Sequence, residues 1–118
     1  MYILRVEDKF SAAHQLTSYK GPCENLHGHT FRIQVAVEGN TLNELSLLID
    51  FTDLKKYLKA IRDEFDHKFL NAILSFSPTS ENLAKYIFDK LKLALPSEVK
   101  LKEVTIWESE TSSATYYD

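Results

Sequence analysis

Residues 29–39 read "HTFRIQVAVEG", and their alternation decides the fold. Phe31, Ile33, Val35 and Val37 fall on one parity, with Thr30, Arg32, Gln34 and Ala36 on the other. A period of two sustained over this length marks a half-buried strand whose apolar side meets a core. Gly39-Asn40 ends it. Upstream, residues 2–14, "YILRVEDKFSAAH", alternate in the same way: Tyr2, Leu4, Val6 and Phe10 share a parity opposite Arg5, Glu7 and Lys9. The intervening segment contains Gly21-Pro22 and reads as a loop, so the two strands are expected to form a long antiparallel hairpin.

Downstream the period changes. Residues 47–65, "LLIDFTDLKKYLKAIRDEF", begin as a short strand and turn into a helix capped by Asp50 or Thr52, with Leu54, Leu58, Ile61 and Phe65 at helical spacing. A second helix follows Pro78, with Thr79 as N-cap and Glu81 in the first turn, where negative charge is favoured. Its apolar stripe is Leu83, Ile87 and Leu91, and Pro96 stops it. Residues 99–110, "VKLKEVTIWESE", and 112–118, "SSATYYD", are two closing strands joined by a polar turn. The expected architecture is α+β: β-β-α-α-β-β over residues 1–118 as one domain, an antiparallel sheet with two helices on one face. Both sheet edges are left open, and exposed edges are usually blunted or paired, so oligomerisation through them is expected.

Composition bounds the function. A chain of 118 residues, 44% hydrophobic and 26% charged, can bury a core and is not expected to be disordered. A net charge of -3 argues against a general nucleic-acid binder, which needs a basic surplus, but permits a small anionic substrate. No apolar run reaches the roughly 20 residues of a membrane helix. The single cysteine allows no internal disulfide, and Arg5, Glu7, Asp8 and Lys9 interrupt any leader-like apolar stretch, so a cytoplasmic protein is expected.

Residues 23–29, "CENLHGH", gather the only cysteine and two of the four histidines. His27 and His29 lie two apart at a strand entry, so both can face one side. His14, near the end of the first strand, can be brought beside them by the hairpin. Three neutral imidazoles with one position left open is the ligand count of a catalytic zinc site. A satisfied, half-buried ring remains the alternative for His14. Cys23 reads either as a small buried filler or as a thiolate activated by a nearby cation. His67 follows Asp66 at the end of the first helix, either as a histidine favoured by the helix dipole or as a proton carrier oriented by a carboxylate. Glu108 shares the parity of Val104 and Ile106, where a carboxylate is costly without a partner. It suits a planar ligand offering two N–H donors, or else an edge where that parity meets solvent.

Together, "FSAAH", "CENLHGHTF", "LIDFTDLK", "DHKFLN", "PTSENLA" and "VTIWESE" resemble, in order and over nearly the whole chain, the 6-pyruvoyl-tetrahydropterin synthase and 6-carboxytetrahydropterin synthase family. The resemblance implies the tunnelling fold (T-fold), with trimers closing a β-barrel and two trimers stacked as a homohexamer. It implies zinc bound by His14, His27 and His29, Cys23 as the catalytic cysteine, and Asp66 with His67 as a proton relay. Glu108 matches the carboxylate that anchors the pterin ring, and Thr79 and Glu81 fall in the pterin-contacting segment. Sites in this family lie between subunits, which allows Cys23 and His67 to come from different chains.

The implied substrate is 7,8-dihydroneopterin triphosphate. The short spacing from Cys23 to the His-Gly-His resembles the 6-carboxy-5,6,7,8-tetrahydropterin synthases of the queuosine route, so a zinc-dependent lyase of that kind is the leading expectation. The alternatives are pyruvoyl formation and cleavage of dihydroneopterin to 6-hydroxymethyl-dihydropterin. Glu24, beside Cys23, resembles the glutamate of a side-chain-cleaving group, or is an ordinary loop residue. From another class, a non-catalytic zinc- or pterin-binding module would need none of Cys23, Asp66 and His67.

Overall fold

The computed structural model describes residues 1–16 and 25–118. Strands β1 (Tyr2–His14) and β2 (His27–Gly39) form the expected hairpin, in unbroken register from Tyr2 opposite Gly39 to His14 opposite His27. Strand β4 (Lys100–Ser109) pairs antiparallel with β2, and β5 (Ser112–Tyr116) antiparallel with β4. Helices α1 (Phe51–Phe65) and α3 (Ser80–Ala94) lie on one face, as expected.

Three local expectations are corrected. The sheet has five strands, not four, in the order β3-β1-β2-β4-β5, because the two-residue β3 (Lys68–Phe69) pairs with β1. That pairing is parallel, Ala12 with Lys68 and Ala13 with Phe69, so the sheet is mixed. A four-residue helix, α2 (Leu70–Ile73), follows it. The third correction concerns residues 47–50, which form no strand. The Asn43 side-chain oxygen accepts from the backbone N–H of Leu45 and of Leu47, and Ser46 takes a left-handed φ of 63°. This turn chemistry takes up donors that a strand would need. Asp50 then caps α1, accepting from Thr52 N at 2.7 Å.

The core lies between the helices and the parity of β2 read above. Phe10 stacks on Phe31 at 5.0 Å and reaches Phe65 on α1 at 5.4 Å. Leu54, Leu58, Ile61, Phe65, Leu83, Ile87 and Leu91 are all buried, the stripes that the helical spacing indicated. Burial of a full Leu, Ile or Phe side chain contributes about 1.5–3 kcal/mol, so this layer anchors the sheet. The buried parity changes part-way along β4: Val99, just before the strand, and Leu101 are buried, then Val104 and Ile106. A bulge explains it, since Ala36 pairs with Glu103 but Val37 with Leu101, leaving Lys102 unopposed. The helix-free face is polar, with Gln34 donating to Glu7 at 2.8 Å and Arg32 lying 4.5 Å over the Trp107 ring.

Candidate metal and substrate site

The hairpin register puts His14 directly opposite His27, and Ala12 opposite His29. All three histidines therefore sit on the core face at one end of the hairpin. Their ring centroids are 4.6 Å (His14–His27), 5.1 Å (His14–His29) and 4.5 Å (His27–His29) apart. Phe31 lies beneath, edge-on to His14 and His29 at 5.4 and 5.5 Å. Glu108 completes the group: one donor atom from each of the four residues lies within 4.8 Å of the others. Its side chain arrives by a second bulge, because Trp107 pairs with Ser113 and Ser109 with Ser112, so Glu108 has no opposite residue. Bulges re-aim side chains in this way.

The donor chemistry fits a cation. The His14 Nδ1–H donates to the Pro78 carbonyl at 2.8 Å, and the His27 Nδ1–H to the Asn25 carbonyl at 2.7 Å. A carbonyl only accepts, so in neutral rings the protons are on Nδ1 and the two Nε2 lone pairs are bare. Those lone pairs face each other at 3.0 Å. Glu108 Oε1 stands 3.2 Å from His14 Nε2 and 3.2 Å from His29 Nε2. The latter contact is off-line for a hydrogen bond, and His29 Nε2 is buried with no hydrogen-bond partner. Converging acceptors repel unless a proton or a metal ion lies among them. Burial is the main cause pushing the His29 pKa below its ordinary value; Glu108 opposes this, and His27 and His14 add to it. Backbone carbonyls that fix ring tautomers are what metal-bound histidines require. His14, His27, His29 and Glu108 could therefore hold a metal ion.

The other sequence-derived candidates are placed as follows. Glu81 and Glu108 line one pocket of about 260 Å³ with Ser80 and Ser113, so the helix start and the bulge meet there. Thr79 has the capping role, its Oγ1 accepting from Asn82 N at 3.1 Å. Asp66 closes α1, and its Oδ1 lies 3.1 Å from Nδ1 of the exposed His67. His67 takes a left-handed φ of 59° and borders an open groove that His29 also borders. Cys23 and Glu24 lie outside the described residues.

Sequence reasoning missed the supports. The carbonyls of Pro78 and Asn25 that orient His14 and His27 leave no signature in residue type. Asn71 was also missed: it accepts from Gln15 N at 2.9 Å and donates to Gln15 O at 2.7 Å, pinning the backbone just past the end of β1. Arg62 had a legible signal, four residues before Asp66 and so on the same helix face.

Comparison with known proteins places this arrangement. The family model for 6-pyruvoyl tetrahydropterin synthase matches residues 3–118. A 6-carboxy-5,6,7,8-tetrahydropterin synthase of Synechocystis sp. is 40% identical, over 99% of this chain and 94% of the relative. A dihydroneopterin monophosphate aldolase of Pyrococcus furiosus is also 40% identical, over 84% of this chain and 82% of its own length. The solved 6-pyruvoyl tetrahydropterin synthase of Caenorhabditis elegans superposes with a TM-score of 0.86 at 34% identity, covering 100% of this chain and 97% of that one. With the T-fold architecture and a matching sequence along almost its full length, the chain belongs to the 6-pyruvoyl tetrahydropterin synthase family.

Proposed function

We propose that this chain is a zinc-dependent 6-carboxy-5,6,7,8-tetrahydropterin synthase acting on 7,8-dihydroneopterin triphosphate in the queuosine route, in the cytoplasm. The observation that carries the reading is the convergence of three imidazoles beside Glu108, with His14 and His27 turning bare Nε2 lone pairs toward each other. His14, His27 and His29 would hold the ion. Glu108 is assigned to the substrate, because three imidazoles leave the open position that catalysis needs and a fourth protein ligand would close it. Zinc bound there would supply Lewis-acid polarisation of the substrate's side-chain oxygens, acidifying the neighbouring carbon.

The protein's own groups do the rest. The Glu108 carboxylate, at the mouth it shares with Glu81, accepts two ring N–H groups side by side and holds the heterocycle in one orientation. A Cys23 thiolate takes the proton from side-chain carbon. His67, with Asp66 at its Nδ1, carries protons at Nε2. Strand β1 from Tyr2 to Ser11 has a sheet partner on one side only among the described residues, and β5 is the opposite edge. Those two edges support a homohexamer, two stacked trimers with barrel-closed sheets, in which Cys23 and His67 serve sites between subunits.

A second reading is side-chain cleavage of the aldolase kind, favoured by Glu24 beside Cys23 and by the Pyrococcus furiosus relative. The test is to incubate the purified protein with dihydroneopterin triphosphate and, separately, with dihydroneopterin monophosphate, and to identify products by mass spectrometry. 6-Carboxytetrahydropterin from the triphosphate is expected. 6-Hydroxymethyl-dihydropterin as the main product would select the second reading, and no product from either would overturn both.

A further inference from the structure

Arg62 stands apart from the metal cluster, yet it grips the residue that orients His67. Its Nη1 lies 3.1 Å from Asp66 Oδ2, and its Nε donates to Asp8 Oδ2 on β1 at 3.3 Å. Nη1 also lies 3.1 Å from Asp63 Oδ1. The two Asp66 oxygens are thus held separately: Oδ2 by the guanidinium, Oδ1 by Ser11 N–H at 3.0 Å, and only Oδ1 faces His67 Nδ1. Ser11 holds the dyad a second time, its carbonyl accepting from His67 N at 2.6 Å. That backbone bond fixes a left-handed residue that is not glycine, a strained conformation kept only where the surroundings enforce it.

We infer that Arg62, tied to β1 through Asp8, is a positioning residue that locks the Asp66 carboxylate so that His67 keeps its proton on Nδ1 and presents a bare Nε2 to the groove. The inference rests on reading Asp66 and His67 as the proton relay, and it adds the member that sets the relay's geometry. A planar fork is suited to this task, because two of its nitrogens reach three carboxylates, those of Asp8, Asp63 and Asp66, from a rigid frame. An ammonium at the same place keeps the charge but reaches as a single point. Without the fork, the carboxylate can turn about its last bond with Ser11 as sole guide, and the exposed imidazole is free to exchange tautomers.

The test reads the ring directly. The full-length protein is labelled with ¹⁵N-histidine, and the His67 signals are those missing from His67→Asn. With the ring neutral, the wild type is expected to show the Nδ1–H tautomer dominant, Arg62→Ala a mixture, and Arg62→Lys a value between them. Should Arg62→Ala not fold, Arg62→Lys decides. Wild-type nitrogen shifts in whichever of the two folds would overturn the brace, since a merely structural role lowers stability without moving the ring. Turnover is scored separately: kcat is expected to fall by up to roughly a hundredfold with KM little changed. A wild type inert toward pterins would overturn the synthase reading and leave the spectrum to decide the brace.

Discussion

Glu108 carries the most information of any single residue here. Its parity with Val104 and Ile106 was legible in the sequence, and so was the need for a partner; the bulge that swings it between the histidines and the pocket was not. Bulges come from pairing between strands, which one strand's alternation does not encode. In Glu108→Ala, bound zinc is expected to persist on three imidazoles while pterin affinity drops, read by metal analysis and by calorimetric titration with a pterin. Loss of the metal with Glu108 would make it a ligand instead. Cys23→Ala is expected to keep its zinc and lose about 10²–10⁴-fold in turnover, the usual contribution of a positioned proton-transfer group. Turnover within a fewfold of wild type would remove the thiol from the chemistry.

At the scale of elements, the ends of the helices do the positioning. Asp66 has its pKa below the ordinary 3.8, first because Ser11 N–H donates to it, with burial opposing and His67 and Arg62 adding to the shift. A carboxyl depressed in the folded state stabilises that state above the unfolded pKa and loses the contribution as pH falls through the folded value. Acid unfolding followed by circular dichroism is therefore expected to draw part of its steepness from below pH 3.8, and Asp66→Asn to flatten that limb while lowering stability at neutral pH. An unchanged acid limb would detach Asp66 from the fold's pH response. At the other helix, Thr79→Ala is expected to cost about 1 kcal/mol as a lost N-cap, with Thr79→Ser near wild type in thermal melts. Equal stability in all three would leave Thr79 without its capping role. Thr79 could be read as an N-cap from its place before a periodic stretch, and Asp50 was one of two candidates, with Thr52, for the other. Strand β3 could not, since two residues carry no period and Lys68–Phe69 becomes a strand only by lying beside Ala12 and Ala13.

For the molecule as a whole, the alternation of residues 29–39 and its partner strand indicated the hairpin, and the hairpin register delivered His14 to His27. This is why so much of the site was legible: it is built on paired strands, where sequence parity becomes position. The run at 47–50 misled because apolar content alone does not distinguish a strand from a turn whose donors Asn43 collects. Among the described residues, β1 from Tyr2 to Ser11 and β5 are open sheet edges, which the proposed assembly would pair. Analytical ultracentrifugation is expected to give the mass of a trimer or hexamer with little monomer at micromolar concentration. A stable monomer would contradict the proposed edge pairing and, with it, a site shared between subunits.

The most direct measurement is zinc content by plasma mass spectrometry on protein purified without added metal, wild type beside His27→Ala. About one zinc per chain in the wild type and almost none in the variant is the outcome that a three-imidazole site requires. Equal metal in both, or none in a folded wild type, would contradict the convergence of His14, His27 and His29 on a shared ion.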